Sequence, residues 1–216
     1  GIDAILVGGD THDMGHHLAF YRTLWEKNEI PILFVQGNHE PYGRCFQDLM
    51  EEEAETLEAF RAQGMEIHAL HAGDSRDIAG VRVIGATLWS DFELYPDTAL
   101  EARMAAQHVM NDYRVVSWRD EDTREIRPMQ VRDTIAMHHR DRAGILSALD
   151  RPFDGPRVVM THHVPIPEMI QPRFVGDVLT PAFVSDLRPE ITTRRIDAWI
   201  CGHTHPPIET ALDGAH

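Results

Sequence analysis

Ile30-Pro31-Ile32-Leu33-Phe34-Val35-Gln36-Gly37-Asn38-His39-Glu40 is the stretch that decides the fold. The apolar run at 30–35 reads as a buried strand. Gly37 lets the backbone turn sharply as it leaves that strand. An amide oxygen, an imidazole and a carboxylate then arrive together at its carboxyl end. In open α/β sheets that end is where ligands bind. A loop of turn formers would look much the same, so the reading rests on whether other strands end alike.

They do. Upstream, Asp3-Ala4-Ile5-Leu6-Val7 reads as a strand and ends in Gly8-Gly9-Asp10. Leu18, Tyr21, Leu24 and Trp25 recur at helical spacing between the two strands, which makes a βαβ unit. Downstream, a helix is predicted at 47–61 with Met50, Ala54, Leu57 and Phe60 on its apolar face. Its acidic run Glu51-Glu52-Glu53 with Glu55 reads as the solvated side. Short strands follow at 66–70, 74–78 and 81–88, the last two joined by Ala79-Gly80 as a tight hairpin. Trp89-Ser90-Asp91-Phe92 closes this part with a polar tip. The spacing predicts a helix over 97–113, a charge-mixed loop over 114–127, and a helix from Pro128 to about 149. His138 and His139 are adjacent on that helix and point in different directions. A strand at 157–160 ends in Thr161-His162-His163. A Pro-rich loop carrying Arg173, Gly176 and Asp177 is too long for a simple connector. After a partly helical stretch at 181–195, an apolar run at 196–200 ends in Gly202-His203-Thr204-His205.

The totals suit this picture. The 216 residues fit one α/β domain, 1–216, with a helical rim segment at about 96–150. A formal net charge of −15 argues against a nucleic-acid backbone as partner. Two distant cysteines, Cys45 and Cys201, make no disulfide framework. No stretch approaches the ~18 apolar residues of a membrane span. With no signal-peptide pattern at its start, the expected location is the cytoplasm. Oligomeric state is not legible. Fourteen histidines is a high count, but only those placed by rigid elements on one point can share a metal.

Four apolar strands therefore end in Asp10, in Asn38-His39, in His162 and in His203-Thr204-His205. These residue types make a ligand set for two divalent metals. A carboxylate can bridge cations, neutral imidazoles suit Zn, Fe, Mn or Ni, and an Asn oxygen completes a shell without adding charge. A free imidazole beside them can donate a proton to a leaving alkoxide.

Gly-Asp, Gly-Asn-His-Glu, His and Gly-His-x-His, in this order, resemble the signature of the calcineurin-like metallophosphoesterases. Trp89-Ser90-Asp91-Phe92, Met110-Asn111-Asp112-Tyr113 and Thr161-His162-His163-Val164-Pro165 look like a bacterial branch of phosphohydrolases. The resemblance implies a four-layer αββα sandwich and hydrolysis of phosphate monoesters or diesters by a metal-bound hydroxide. It implies that Asp10 bridges two metals, that Asn38, His162 and His203 complete the second metal's shell, and that His205 binds the first. His39 would protonate the leaving group or steady the phosphoryl oxygens, and Glu40 would support the loop. The substrate would be a phosphate ester; Arg44, Arg173 and His163 are candidates to contact it.

The family also has an Asp-x-His motif on a strand before the Gly-Asp strand, and that motif is not present here. Asp10-Thr11-His12 has the same form, but Asp10 to Asn38 has the spacing of the second motif. The expectation is a fold incomplete at both ends, binding the second metal better than the first and weakly active. Two other readings compete: a degraded scaffold module of the same fold, and a mononuclear zinc hydrolase using His162, His203 and His205.

Overall fold

The computed structural model describes residues 1–120, 122–204 and 207–212. Strand β1 (Ile5–Val7) is followed by helix α1 (His17–Asn28) and then β2 (Ile32–Phe34), the run that precedes Gly37. Helix α2 (Phe46–Ala62) leads to β3 (Ile67–Ala69). These three strands form one parallel sheet in the order β1-β2-β3. Next come β4 (Asp74–Ile78) and β5 (Val81–Ala86). They join through Ala79 and Gly80, both at positive φ (50° and 81°), as a two-residue hairpin requires.

Helices α3 (Ala99–Val109) and α4 (Asp112–Val115), strands β6 (Ser117–Arg119) and β7 (Ile126–Pro128), and helix α5 (Val131–Leu149) follow. Strand β8 (Arg157–Thr161), helix α6 (Arg188–Thr192) and strand β9 (Ala198–Cys201) complete the set. The second sheet has the order β4-β5-β8-β9, with β4 antiparallel and the other three parallel.

Strand periodicity explains why the sheets stack. Along β2 and the residue after it, Leu33 and Val35 point one way and pack with Val83 and Met160 of the other sheet. Ile32 and Phe34 point the other way, onto Leu18, Tyr21 and Phe60 of α1 and α2. On the far side, Ile84 and Val159 meet Ile145 and Leu149 of α5. The layers therefore run helix, sheet, sheet, helix, the αββα arrangement expected. A further cluster of Trp89, Phe92, Ala102, Tyr113 and Met129 holds α3 and α4.

Three local expectations need correction. The helix predicted over 97–113 is a 3-10 turn at Pro96–Thr98, then α3, an extended Met110 and α4. That break turns Asp112 inward, where it is buried. The segment 114–127 is not all loop: Ser117–Arg119 pairs antiparallel with Ile126–Pro128. Its strands are too short and too charged to show alternation, and the packing comes from outside. Trp118 stacks on Phe46 at 5.4 Å, and Gln47 Oε1 accepts a hydrogen bond from Arg119 N at 2.8 Å. Pro128 consequently belongs to β7, and α5 starts at Val131. Its N-terminus is a capping box, with the Asp133 carboxylate accepting from Gln130 N at 2.8 Å.

Candidate metal centre

Four parallel strands, two from each sheet, point their carboxyl ends at one place. The chain leaves β1 through Gly8-Gly9-Asp10, β2 through Gln36-Gly37-Asn38, β8 into His162 and β9 through Gly202-His203. The ligand atoms of Asp10, His162 and His203 all lie within 4.8 Å of one another. Asn38 joins them, its Oδ1 standing 3.1 Å from His162 Nε2.

The hydrogen bonds around this cluster state what it lacks. His162 Nδ1 lies 2.7 Å from the Gly8 carbonyl, so that nitrogen carries the proton and donates. His162 Nε2 then faces Asn38 Oδ1 at 3.1 Å, His203 Nδ1 at 3.1 Å and Asp10 Oδ2 at 3.3 Å. The amide cannot turn its other end inward. Asn38 Nδ2 donates to Asp112 Oδ1 at 2.8 Å and to the Tyr42 hydroxyl at 3.2 Å. Burial and two neighbouring imidazoles, His163 and His162, hold His203 neutral, its pKa well below the ordinary histidine value. Four atoms with lone pairs therefore converge, and one proton can serve only one contact. A divalent cation serves all four. The donor set of one carboxylate, one amide oxygen and two imidazoles suits Mn, Fe, Zn or Ni.

Backbone strain supports this convergence. Asp10 (φ 55°) and His203 (φ 64°) are both left-handed, a conformation costing on the order of 1–3 kcal/mol each that clusters at ligand sites. Gly37 has no alternative: a Cβ there would sit 2.1 Å from Asp10 Oδ1.

Glu40 is buried. Its carboxylate accepts from Gly37 N at 2.7 Å, Thr11 N at 2.7 Å and Asp10 N at 3.2 Å, which ties the loops after β1 and β2 together. It acts as a loop brace. His39 is exposed at the mouth, its ring stacked on Tyr42 at 4.5 Å and its backbone N donating to Asp10 Oδ1 at 3.1 Å. His12 is exposed, its Nδ1 3.0 Å from the Asp13 carbonyl, and it is not part of the cluster of Asp10, His162 and His203. His205 lies outside the described residues.

Other candidates fall elsewhere. His163 is buried between Trp89 and His203, with ring centroids at 5.1 and 4.5 Å. Burial holds it neutral, as a wall of the cluster. Arg44 is paired with Glu52 at 2.6 Å. His138 is buried against the Trp89 carbonyl, while His139 is exposed.

Two supports were not foreseen. Asp112, 74 residues from Asn38, orients the amide; burial pushes its carboxyl above the ordinary value. Its signal was present in Met110-Asn111-Asp112-Tyr113, but without a role. Glu53, read as solvated, is buried and accepts from Gln36 Nε2 at 2.7 Å, with His17 and His71 at 2.6 Å on its two oxygens. Gln36 is the residue before Gly37. Position 53 shares a helix face with Leu49, one turn earlier, and that spacing was the available signal.

No curated protein matches the sequence significantly. A solved structure, the phosphopantetheinyl hydrolase PptH from Mycobacterium tuberculosis, superposes with a TM-score of 0.68 over 98% of this chain and 76% of that one. At 16% identity that likeness shows a common fold. No helix among the described residues is long and apolar enough to cross a membrane. Residues 1–207 match the calcineurin-like phosphoesterase family, and the chain belongs to that metal-dependent family.

Proposed function

We propose that this protein hydrolyses phosphate esters, monoesters or diesters, at a centre of two divalent cations. The observation that carries the reading is the meeting of four lone-pair atoms around His162 Nε2. Asp10, Asn38, His162 and His203 would hold one cation; Asp10 and His205 would hold the other. Bound there, the cations supply Lewis acidity, making water a better nucleophile at neutral pH and offsetting charge on the phosphoryl oxygens.

The chain's own residues supply the rest. Asp112 and Tyr42 keep the Asn38 oxygen turned inward, and the Gly8 carbonyl keeps the His162 lone pair on Nε2. Glu40 fixes the separation of the Asp10 and Asn38 loops. His39, exposed at the mouth beside Asp10, donates a proton to the departing alkoxide. Asp10 and Asn38 lie in the cluster, which favours this ligand set over a zinc site of histidines alone. The intact convergence also favours turnover over a scaffold role.

The test is hydrolysis of 4-nitrophenyl phosphate and bis(4-nitrophenyl) phosphate with Mn²⁺ and with a chelator. Metal-dependent turnover, lost in Asp10→Asn and His162→Ala, is the expected result. Unaltered turnover in both variants, or none with any divalent cation, would overturn the proposal.

A further inference from the structure

A cavity of about 370 Å³ opens directly beside the metal centre, and His203 and Thr204 form part of its wall. The rest comes from the long Pro-rich segment between β8 and α6. That segment has no α-helix or strand of its own among its described residues at 165–187. It is built from 3-10 turns at Pro167–Met169, Pro172–Phe174 and Thr180–Ala182. Internal bonds hold its shape: Thr180 Oγ1 donates to the Phe174 carbonyl at 2.6 Å, and Gly176 N donates to the Tyr95 hydroxyl at 3.1 Å.

The lining is largely apolar, with two aromatic rings. Phe183 stacks on the His203 imidazole at 4.7 Å with planes 23° apart, so the cavity's flat wall is continuous with a ligand of the metal centre. Phe174 is 41% exposed, and the Arg173 guanidinium lies 4.6 Å over its ring. Arg173 makes no ion pair among the described residues. Gln171 adds an amide to the same wall. Small-molecule sites have this make-up: a volume of about 300–1,000 Å³, apolar and aromatic walls and a few polar groups that fix orientation.

From this we infer that the protein's substrates are small phosphate esters whose alcohol part is a flat aromatic or heteroaromatic unit of up to about nucleoside size, seated between the Phe183 wall and the Arg173–Phe174 pair. The inference rests on the phosphoesterase reading and narrows it. A phosphoryl group held by the cations that Asp10, Asn38, His162 and His203 would bind puts the ester's organic part into this cavity, because His203 lines both. The exposed Phe174 ring offers a planar group an aromatic surface in the cavity, and Phe183, stacked on His203, closes its inner wall. A phosphoseryl side chain would leave most of the volume empty.

Two matched ligand pairs test it on the full chain loaded with Mn²⁺. Phenyl and 1-naphthyl phosphate have similar leaving groups but differ by one fused ring. The naphthyl ester is expected to show a KM lower by about tenfold with kcat little changed, the effect of burying one more ring. Phe174→Ala and Arg173→Ala should bring that ratio toward one. Phenylphosphonate and 1-naphthylphosphonate cannot be hydrolysed, and calorimetry should give the same tenfold ratio in Kd. Naphthyl preference in binding without turnover of either ester would keep the cavity assignment and remove the phosphoesterase reading. Turnover with equal KM for both esters would remove the cavity assignment alone. Hexylphosphonate binding as tightly as the naphthyl compound, or a phosphoserine peptide hydrolysed more efficiently than naphthyl phosphate, would overturn the aromatic assignment.

Discussion

His162 Nε2 cannot satisfy Asn38, His203 and Asp10 at once, and the residues that set this conflict are open to separate measurement. Asp112 touches none of the converging atoms. It acts by holding the Asn38 amide with its oxygen inward. Partners of this kind typically contribute 10–100-fold in metal affinity. Asp112→Ala is therefore expected to weaken Mn²⁺ binding by about that factor in calorimetric titration, with circular dichroism unchanged; unchanged affinity would remove Asp112 from the centre. His39 differs, because its ring is exposed, stacks on Tyr42 and is not among the converging atoms. His39→Ala should lower kcat by about 10²–10⁴ while metal content per chain stays the same. Parallel loss of metal and activity would make His39 a ligand. Most of these residues were legible in the sequence, because a strand followed by Gly and a polar residue is a local pattern. Asp112 was not, because nothing in Met110-Asn111-Asp112-Tyr113 says which distant amide it will meet.

At the scale of elements, Glu53 joins α1, α2, the end of β2 and the turn after β3 through His17, Gln36 and His71. Burial alone would raise its carboxyl, but hydrogen bonds from His17 and His71 outweigh that and bring it from 4.5 to about 2. Burial lowers His71 as well, and the Glu53 carboxylate outweighs it upward. The signs oppose each other. A lowered carboxyl stabilises the fold above its ordinary value, and that contribution is lost as pH falls toward 2. A raised histidine stabilises it below its ordinary value, and that is lost as pH rises past its folded value. The stability difference between the native chain and Glu53→Gln, measured by urea unfolding, should peak near about pH 5–6 and shrink on both sides. Its maximum is expected at about 3–5 kcal/mol, the cost of breaking a buried pair. A difference that does not vary with pH would mean the histidines are bystanders. The acidic run on α2 hid this role, since composition shows a charged face but not which single carboxylate turns inward.

For the whole molecule, the centre draws on β1 and β2 of one sheet and β8 and β9 of the other. A cation there would link two layers otherwise held by the apolar contacts of Leu33, Val35, Val83 and Met160. Mn²⁺ at about 100 times its Kd should stabilise the fold by about 2.7 kcal/mol. For a domain of this size that is a rise in Tm of about 5–10 °C. Scanning fluorimetry with Mn²⁺ and then with excess chelator measures it; no shift with any divalent cation would remove the metal from the folded state. The sequence by itself determined most of the strands and which polar residues end them, because periodicity and the residue that ends a strand are properties of neighbours along the chain; the order of the layers came from the family resemblance that those strand ends carry. Only the tertiary structure decided which end of Asn38 faces inward, that Glu53 is buried, and that a cavity opens beside His203. Each of these depends on side chains tens of residues apart, whose separations exist only once the two sheets have stacked.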